Sequence, residues 1–501
     1  MLKNVTRNPV RFTGKEDVVV VPLFAEEREL KGPAKKLDVL CKSGISGYLK
    51  KTGFKADAGT TAFIGFQLPK APDHVLVLGL GKRKLITPGR AAGAAGNASL
   101  ILKSRRIGVC HVLIDNILNH ENGDDHVRAF IKGFSLAQYR FSIRSKPSRG
   151  KRLSKLVVLS DDTRRLPRII KQSRIVAQTT AGVRDLVNRP ANHLTPGMMA
   201  DEASTIAKKY GLTCRVIRKT ALQKLGMGAI LAVAQGSRED PTLVSMHYNK
   251  GLSSRTGCPK LCFVGKGVTF DSGGISLKPW QNMNEMKGDM AGGAVVLQVL
   301  AAAAQLQTPI EIIGLIPCVE NMPSGSAIRP GDVIKTYSGK TIEVISTDAE
   351  GRLILADALA YALEFKPSVV IDIATLTGSV VVALGTRIAG VVGNNQTYVD
   401  KLVAAGKASG EPVWQLPLDE SFAEAVKGDI SDLKNFSGRG GGTITAAALL
   451  ADFVGRTPWV HIDIAGTFWS AAGKISYQTK GATGFGVDLM IRFIESIMPA
   501  D

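Results

Sequence analysis

Two rhythms of apolar residues divide the chain. Short β-branched runs at 17–23, 74–80 and 107–114 read as buried strands, and a Gly/Ala-rich run at 89–102 reads as a helix between them. A longer helical pattern covers 169–188 and leads into a Pro- and Asn-rich turn, followed by a helix starting near Met198. From Cys214 onward the alternation resumes, with strands expected at 214–217, 242–246, 261–264, 310–316, 341–345, 369–373 and 460–464. Strands alternating with helices predict an α/β class with a largely parallel first sheet. The expected architecture is a small N-terminal α/β domain (1–168), a linker helix (169–190) and a large three-layer α/β/α domain (191–501).

Composition changes this picture at one point. Hydrophobic residues make up 45% of the 501 and charged residues 21%, which suits globular domains and excludes wholesale disorder. The formal net charge of +21 lies wholly in residues 1–200, which hold 36 Lys and Arg against 15 Asp and Glu, while the remainder balances to zero. Arg140, Arg144, Lys146, Arg149, Lys151, Arg152, Lys155, Arg164, Arg165, Arg168, Lys171 and Arg174 form the densest run. A solvated face explains such a run, and so does a footprint for DNA or another polyanion. The six cysteines are scattered and read as reduced thiols; Cys258 and Cys262 alone are close, a weak zinc signal without a second pair. Arg11, Lys15, Glu16 and Asp17 occupy the place of a signal-peptide core, and the apolar stretch 290–304 is too short for a bilayer. A soluble, cytoplasmic protein without membrane partners is expected.

The chemistry concentrates in three segments. In Ser346-Thr347-Asp348-Ala349-Glu350-Gly351-Arg352 the charged side chains stand at every second position between an apolar run and an apolar helix. If that backbone is extended, Asp348, Glu350 and Arg352 share one side, where two acids could bind a divalent metal and the arginine an anion. A salt-bridge cluster explains the same residues. In Val264-Gly265-Lys266-Gly267 through Phe270-Asp271-Ser272-Gly273-Gly274 to Lys278-Pro279, charges are embedded in an apolar strand context. Lys266 there either meets a carboxylate or serves as a neutral nitrogen ligand. Asp289 precedes a run of small residues, as a helix cap or as a further oxygen ligand. Asp271, Asp289, Asp348 and Glu350 with Lys266 suit two ions sharing bridging ligands, leaving Lys278 and Arg352 as free cations. No HExxH, G-x-S-x-G or Cys/His signature competes. Two glycine-rich turns, Gly79-Leu80-Gly81-Lys82 and 435–443, fit no nucleotide motif; the second reads as a loop near an active site or a subunit interface, or as a phosphate cradle.

These blocks, with Met286-Lys287, Ala374-Thr375-Leu376-Thr377-Gly378 and His461-Ile462-Asp463-Ile464-Ala465-Gly466, resemble the leucyl (cytosol) aminopeptidase family in order and spacing over about 188–490. Residues 1–170 resemble its N-terminal domain only loosely. The resemblance implies a cytoplasmic metallo-exopeptidase that removes leucine and other residues from peptide N-termini in intracellular peptide turnover, assembled as a homohexamer. It implies two divalent ions per subunit, manganese first and zinc or magnesium as alternatives. Lys266, Asp271, Asp289 and Glu350 would hold one ion, and Asp271, Asp348 and Glu350 the other. Lys278 and Arg352 would be catalytic, Arg352 through a bicarbonate ion, and Met286, Thr375, Leu376 and Gly378 would line the substrate pocket. Two departures stand out: Ser346 replaces an asparagine, and Gly292-Gly293 replaces bulkier residues, which is expected to loosen the helix start.

Overall fold

The computed structural model describes all residues except 1–3, 28, 146–152, 439, 472, 474 and 499–501. Part of the basic run, Lys146, Arg149, Lys151 and Arg152, therefore lies outside the described residues, as does Arg439 of the second glycine-rich loop. The chain forms two compact units. One comprises Met1–Ala181 with Lys407–Gly410 and Ala472–Lys480; the other comprises Gly182–Gly406, Glu411–Ala471 and Gly481–Asp501. The helix Leu166–Asn188 runs through the boundary.

The first unit is built on six strands: β1 (Asn4–Asn8), β2 (Val19–Leu23), β3 (Thr61–Gly65), β4 (His74–Gly79), β5 (Val109–Leu113) and β6 (Lys155–Leu159), in the order β1-β6-β5-β2-β4-β3. All neighbours pair in parallel except β3 with β4. Every residue of β2 is buried, because helices cover both faces of a parallel sheet. Gly81, in the turn after β4, has φ +76° and precedes a short 3₁₀ segment, Arg83–Leu85.

The second unit carries β7 (Thr213–Arg218), β8 (Thr242–Tyr248), β9 (Lys260–Gly265), β10 (Gly267–Asp271), β11 (Glu311–Asn321), β12 (Val333–Lys335), β13 (Thr341–Glu343), β14 (Val369–Ala374), β15 (Ala389–Gly393), β16 (Val413–Gln415), β17 (Leu433–Lys434) and β18 (Trp459–Asp463). The main sheet runs β16-β15-β18-β14-β9-β11-β8-β7, and β10 adds to β11. Its centre is parallel, whereas β7 against β8, β8 against β11 and β15 against β18 are antiparallel. A separate three-stranded sheet, β12-β13-β17, stands beside it.

The helix Ala291–Leu306 packs on β9, β11 and β14 through residues small enough for close approach. A Cβ on Gly292 would lie 2.0 Å from the Ile373 carbonyl oxygen and one on Gly293 2.6 Å from the Ile316 side chain, so the two glycines seat the helix start against β14 and β11 rather than loosening it. Counted with the preceding 3₁₀ turn, Met283–Leu306 is long and apolar enough, by length and composition, to cross a membrane, a longer span than the 290–304 stretch read from the sequence. Within the fold, 78% of that window is buried, which makes it a core helix.

Candidate active site

The site is assembled where the central strands of the second unit end. Lys266 follows β9, and its amide is fixed by the Ile373 carbonyl at the end of β14. Asp271 closes β10, in register with Asn321 at the end of β11. The register slips between Val268 and Phe270, and such a bulge re-aims the side chains beyond it. Asn321 Nδ2 donates both to Asp271 Oδ1 (2.9 Å) and to the Thr347 carbonyl (2.9 Å), tying the first acid to the segment that carries the others. The following turn depends on Gly273, whose φ is +88° and whose absent Cβ leaves room for Asp348 Oδ1.

Asp348, Glu350 and Arg352 do not project from an extended backbone. The helix Glu350–Ala362 begins at Glu350, because the apolar helical pattern extends one turn further upstream than the alternation suggested. Glu350 and Arg352 consequently diverge around the helix, Glu350 toward Lys266 and Arg352 toward Asn435.

Lys266 Nζ lies 2.9 Å from Asp289 Oδ2 and 2.7 Å from Glu350 Oε1, and it donates to the Thr375 carbonyl at 2.9 Å. Those two carboxylate oxygens have no hydrogen-bond partner beyond this ammonium among the described residues. Lys278 Nζ lies 2.8 Å from Asp271 Oδ2 and also pairs with Asp348 Oδ1. Oxygens of Asp271, Asp348 and Glu350 lie within 4.8 Å of one another, a spacing that could hold a metal ion. The five candidate ligands and Lys278 thus occupy one cluster.

Burial works against charge on Lys266, but Asp289, Glu350 and Asp271 outweigh it and hold the ammonium above the ordinary lysine value. Lys278 is raised in the same way by Asp271, Glu350 and Asp348 against the effect of burial. Burial, with Glu350 adding to it, pushes the Asp271 carboxyl up to about 6. Asp289 and Asp348 are also raised, chiefly by burial. Glu350 alone moves down, because Lys266 and Lys278 together overcome the burial penalty. Four crowded acids shared between two ammonium groups form a donor set that additional positive charge would relieve, so the residues fit divalent cations.

Arg352 is buried, and burial lowers its guanidinium to about 10. Nη1 donates to the Asn435 carbonyl at 2.8 Å, while Nε has no hydrogen-bond partner among the described residues. Thr375 Oγ1 donates to Asp289 Oδ1 at 2.7 Å, placing Thr375 against the cluster. Leu376 N–H donates to Asp463 Oδ1 (3.1 Å), and Thr377 Oγ1 donates to Asp463 Oδ2 (2.6 Å). Gly378 opens the helix Gly378–Leu384, with open space where a Cβ would stand. Met286 lies in the 3₁₀ segment Met283–Gly288, just before Asp289. His461 is engaged elsewhere: its Nδ1 pairs with Asp372 Oδ1 at 2.6 Å in the sheet interior.

Sequence profiles settle the kinship. The profile described as the cytosol aminopeptidase family catalytic domain matches residues 181–491, and that of the family's N-terminal domain matches 20–147. The chain belongs to the cytosol aminopeptidase family. Its relatives include a probable cytosol aminopeptidase of Geobacter sulfurreducens, 41% identical over 468 residues and 92% of each chain. Another, from Acidithiobacillus ferrooxidans, is 38% identical over 498 residues, covering 97% of each. Among solved structures, the bottromycin maturation enzyme BotP in complex with Mn superposes with a TM-score of 0.84 at 32% identity, over 95% of this chain and 98% of that one. The protein is a peptidase of this family, with the family's small N-terminal and larger C-terminal α/β domains.

Two asparagines, Asn321 and Asn435, bind the site together: no motif marks Asn321, and Asn435 opens the glycine-rich turn read above as a loop near an active site or a subunit interface. Each stands at the end of a strand, and only strand pairing shows what its amide meets.

Proposed function

We propose that this protein is a metal-dependent aminopeptidase that hydrolyses the N-terminal bond of peptides, leucine among the residues released, in cytoplasmic peptide turnover. The observation that carries the reading is the convergence of Lys266, Asp271, Asp289, Asp348 and Glu350, with Lys278, from three separated segments onto one cluster. In this reading residues 191–501 are the catalytic domain, joined to the basic domain 1–168 by the helix 169–190, and the enzyme works as a homohexamer.

Lys266, Asp271, Asp289 and Glu350 would hold one divalent ion, and Asp271, Asp348 and Glu350 the other, with manganese the first candidate. When bound, such ions acidify a shared water and polarise a carbonyl oxygen. Four carboxylates favour the charged form of Lys266, whereas a dication in their midst would favour its neutral amine. The Lys278 ammonium, half-buried and held by Asp271 and Asp348, is aimed to stabilise an oxyanion developing beside the acids. Arg352 has no ion-pair partner among the described residues and retains an unpartnered Nε, which suits it to hold a small anion such as bicarbonate as a proton carrier. Thr375, Leu376, Gly378 and Met286 would line the pocket for the substrate's first side chain.

The test is release of the chromophore from leucine p-nitroanilide. Activity should vanish after EDTA treatment and return with Mn²⁺; no turnover with any of Mn²⁺, Zn²⁺ or Mg²⁺ would end the proposal. A second reading, DNA binding through the basic N-terminal domain alongside peptidase activity, is favoured by the charge partition alone.

A further inference from the structure

The segment Ser346–Ala349 carries Asp348 and delivers Glu350 and Arg352, yet it has no strand or helix ladder to hold its own backbone. Thr347 in its middle is held by Asn321 on its carbonyl and by Ser276 Oγ on its N–H, and both flanks are held by one fully buried side chain eighty-odd positions later. Asn435 Oδ1 accepts from the Ile345 N–H (2.8 Å) and the Ser346 N–H (3.2 Å). Its Nδ2 donates to the Ser346 carbonyl (2.6 Å) and the Ala349 carbonyl (3.3 Å). The Asn435 carbonyl accepts from Arg352 Nη1, and its amide N–H donates to the Glu343 carbonyl at 3.0 Å. The small sheet explains how this comes about. β13 and β17 pair in parallel with Glu343 beside Lys434, so the residue following β17 is delivered alongside the exit of β13.

We propose that Asn435 is a positioning residue for the peptidase reaction: its amide sets the path of the 345–349 segment, and through it the placement of Asp348 and Glu350, while its carbonyl aims Arg352. This rests on the aminopeptidase reading above. An isosteric acid could still accept from the two N–H groups but would turn a donor into a charged acceptor against the Ser346 and Ala349 carbonyls. Outer groups that orient metal-binding side chains typically change affinity or rate by roughly 10- to 100-fold when altered.

The experiment compares wild type with Asn435→Asp, Asn435→Ala and a control, Asn394→Ala. Asn394 is a similar backbone clamp in another part of the unit, accepting from the Trp459 N–H (2.7 Å) and donating to the Thr457 carbonyl (2.9 Å). Mn²⁺ affinity of the metal-stripped proteins is measured by titration calorimetry, together with kcat, KM and the thermal midpoint. The expected result is a roughly 10- to 100-fold loss in Mn²⁺ affinity and in kcat for both Asn435 variants. KM should stay near wild type, because Asn435 touches none of Met286, Thr375, Leu376 or Gly378, and Asn394→Ala should lower only the thermal midpoint. Asn435 variants that bind Mn²⁺ and turn over like wild type overturn the proposal. So does failure of both to yield soluble protein while Asn394→Ala folds, since that assigns Asn435 to folding alone. A wild-type protein that binds no Mn²⁺ and cleaves nothing instead removes the aminopeptidase reading itself, and the positioning role with it.

Discussion

At the scale of single residues, the site's charged members were legible because each breaks the apolar pattern around it. A buried lysine or aspartate must find a partner: Lys266 found Asp289 and Glu350, and Asp271 found Lys278. Asn321 was not legible, and of Asn435 only the glycine-rich turn it opens, because an amide's partners depend on strand register and pairing. Asp357, a buried acid inside the apolar helix Glu350–Ala362, is a third case. In the fold its Oδ2 accepts from the Ala229 and Ile230 N–H groups and its Oδ1 from the Tyr337 N–H. Burial pushes this carboxyl from an ordinary 3.8 up to about 7, against the pull of those three donors. Between those values the native state keeps a proton that the unfolded chain has lost, so this residue's contribution to stability falls as pH rises from about 4 through 7. Asp357→Asn should remove that slope from the difference between variant and wild-type urea unfolding. It should also cost about 2–4 kcal/mol, because one oxygen cannot serve both groups of donors. A variant that retains the full slope would assign it to other groups.

At the scale of elements, β-branched runs gave away the buried strands such as β2 and β14, since fully buried parallel strands are nearly continuous in Val, Ile and Leu, but not short or less apolar strands such as β12, β15, β16 and β17. What the runs did not reveal was direction: the buried β8 reads like the parallel strands although it pairs antiparallel with both β7 and β11. The start of the helix at Glu350 was missed for a related reason, since alternating charges and a helical first turn look alike over so few residues. The glycines make a sharper test of packing. Gly292→Ala would force a methyl group to within 2.0 Å of the Ile373 oxygen and should cost about 3 kcal/mol or more. Gly93→Ala, inside the helix Pro88–Ser104 with nothing near its Cβ, should instead gain about 0.5–1 kcal/mol. Thermal melts of the two proteins check the contrast, and an unperturbed Gly292→Ala melt would show that helix and sheet can move apart.

At the scale of the whole molecule, most of the charge excess falls within Met1–Ala181, the main segment of the first unit. The basic run was visible as composition, yet its strength as a polyanion surface is reduced by pairing: Arg165 engages Asp124 at 3.0 Å and Asp162 at 3.2 Å. If the DNA reading holds, a labelled duplex should bind at low salt with log affinity falling by about 0.9 per phosphate contact for each tenfold rise in salt. Exchanging Arg164, Arg168, Lys171 and Arg174 for glutamine should flatten that dependence. A duplex that fails to bind even at low ionic strength would leave the charge as a solvated face.

The helix Leu166–Asn188 belongs to both units, its beginning packed in the first core through Leu166, Ile169 and Ile170. No loop therefore offers a seam along which this chain can be divided there. A fragment ending at Ala181 stops within this helix, leaves the last carbonyls of the shortened helix without their partners, and is expected to fray at its new end.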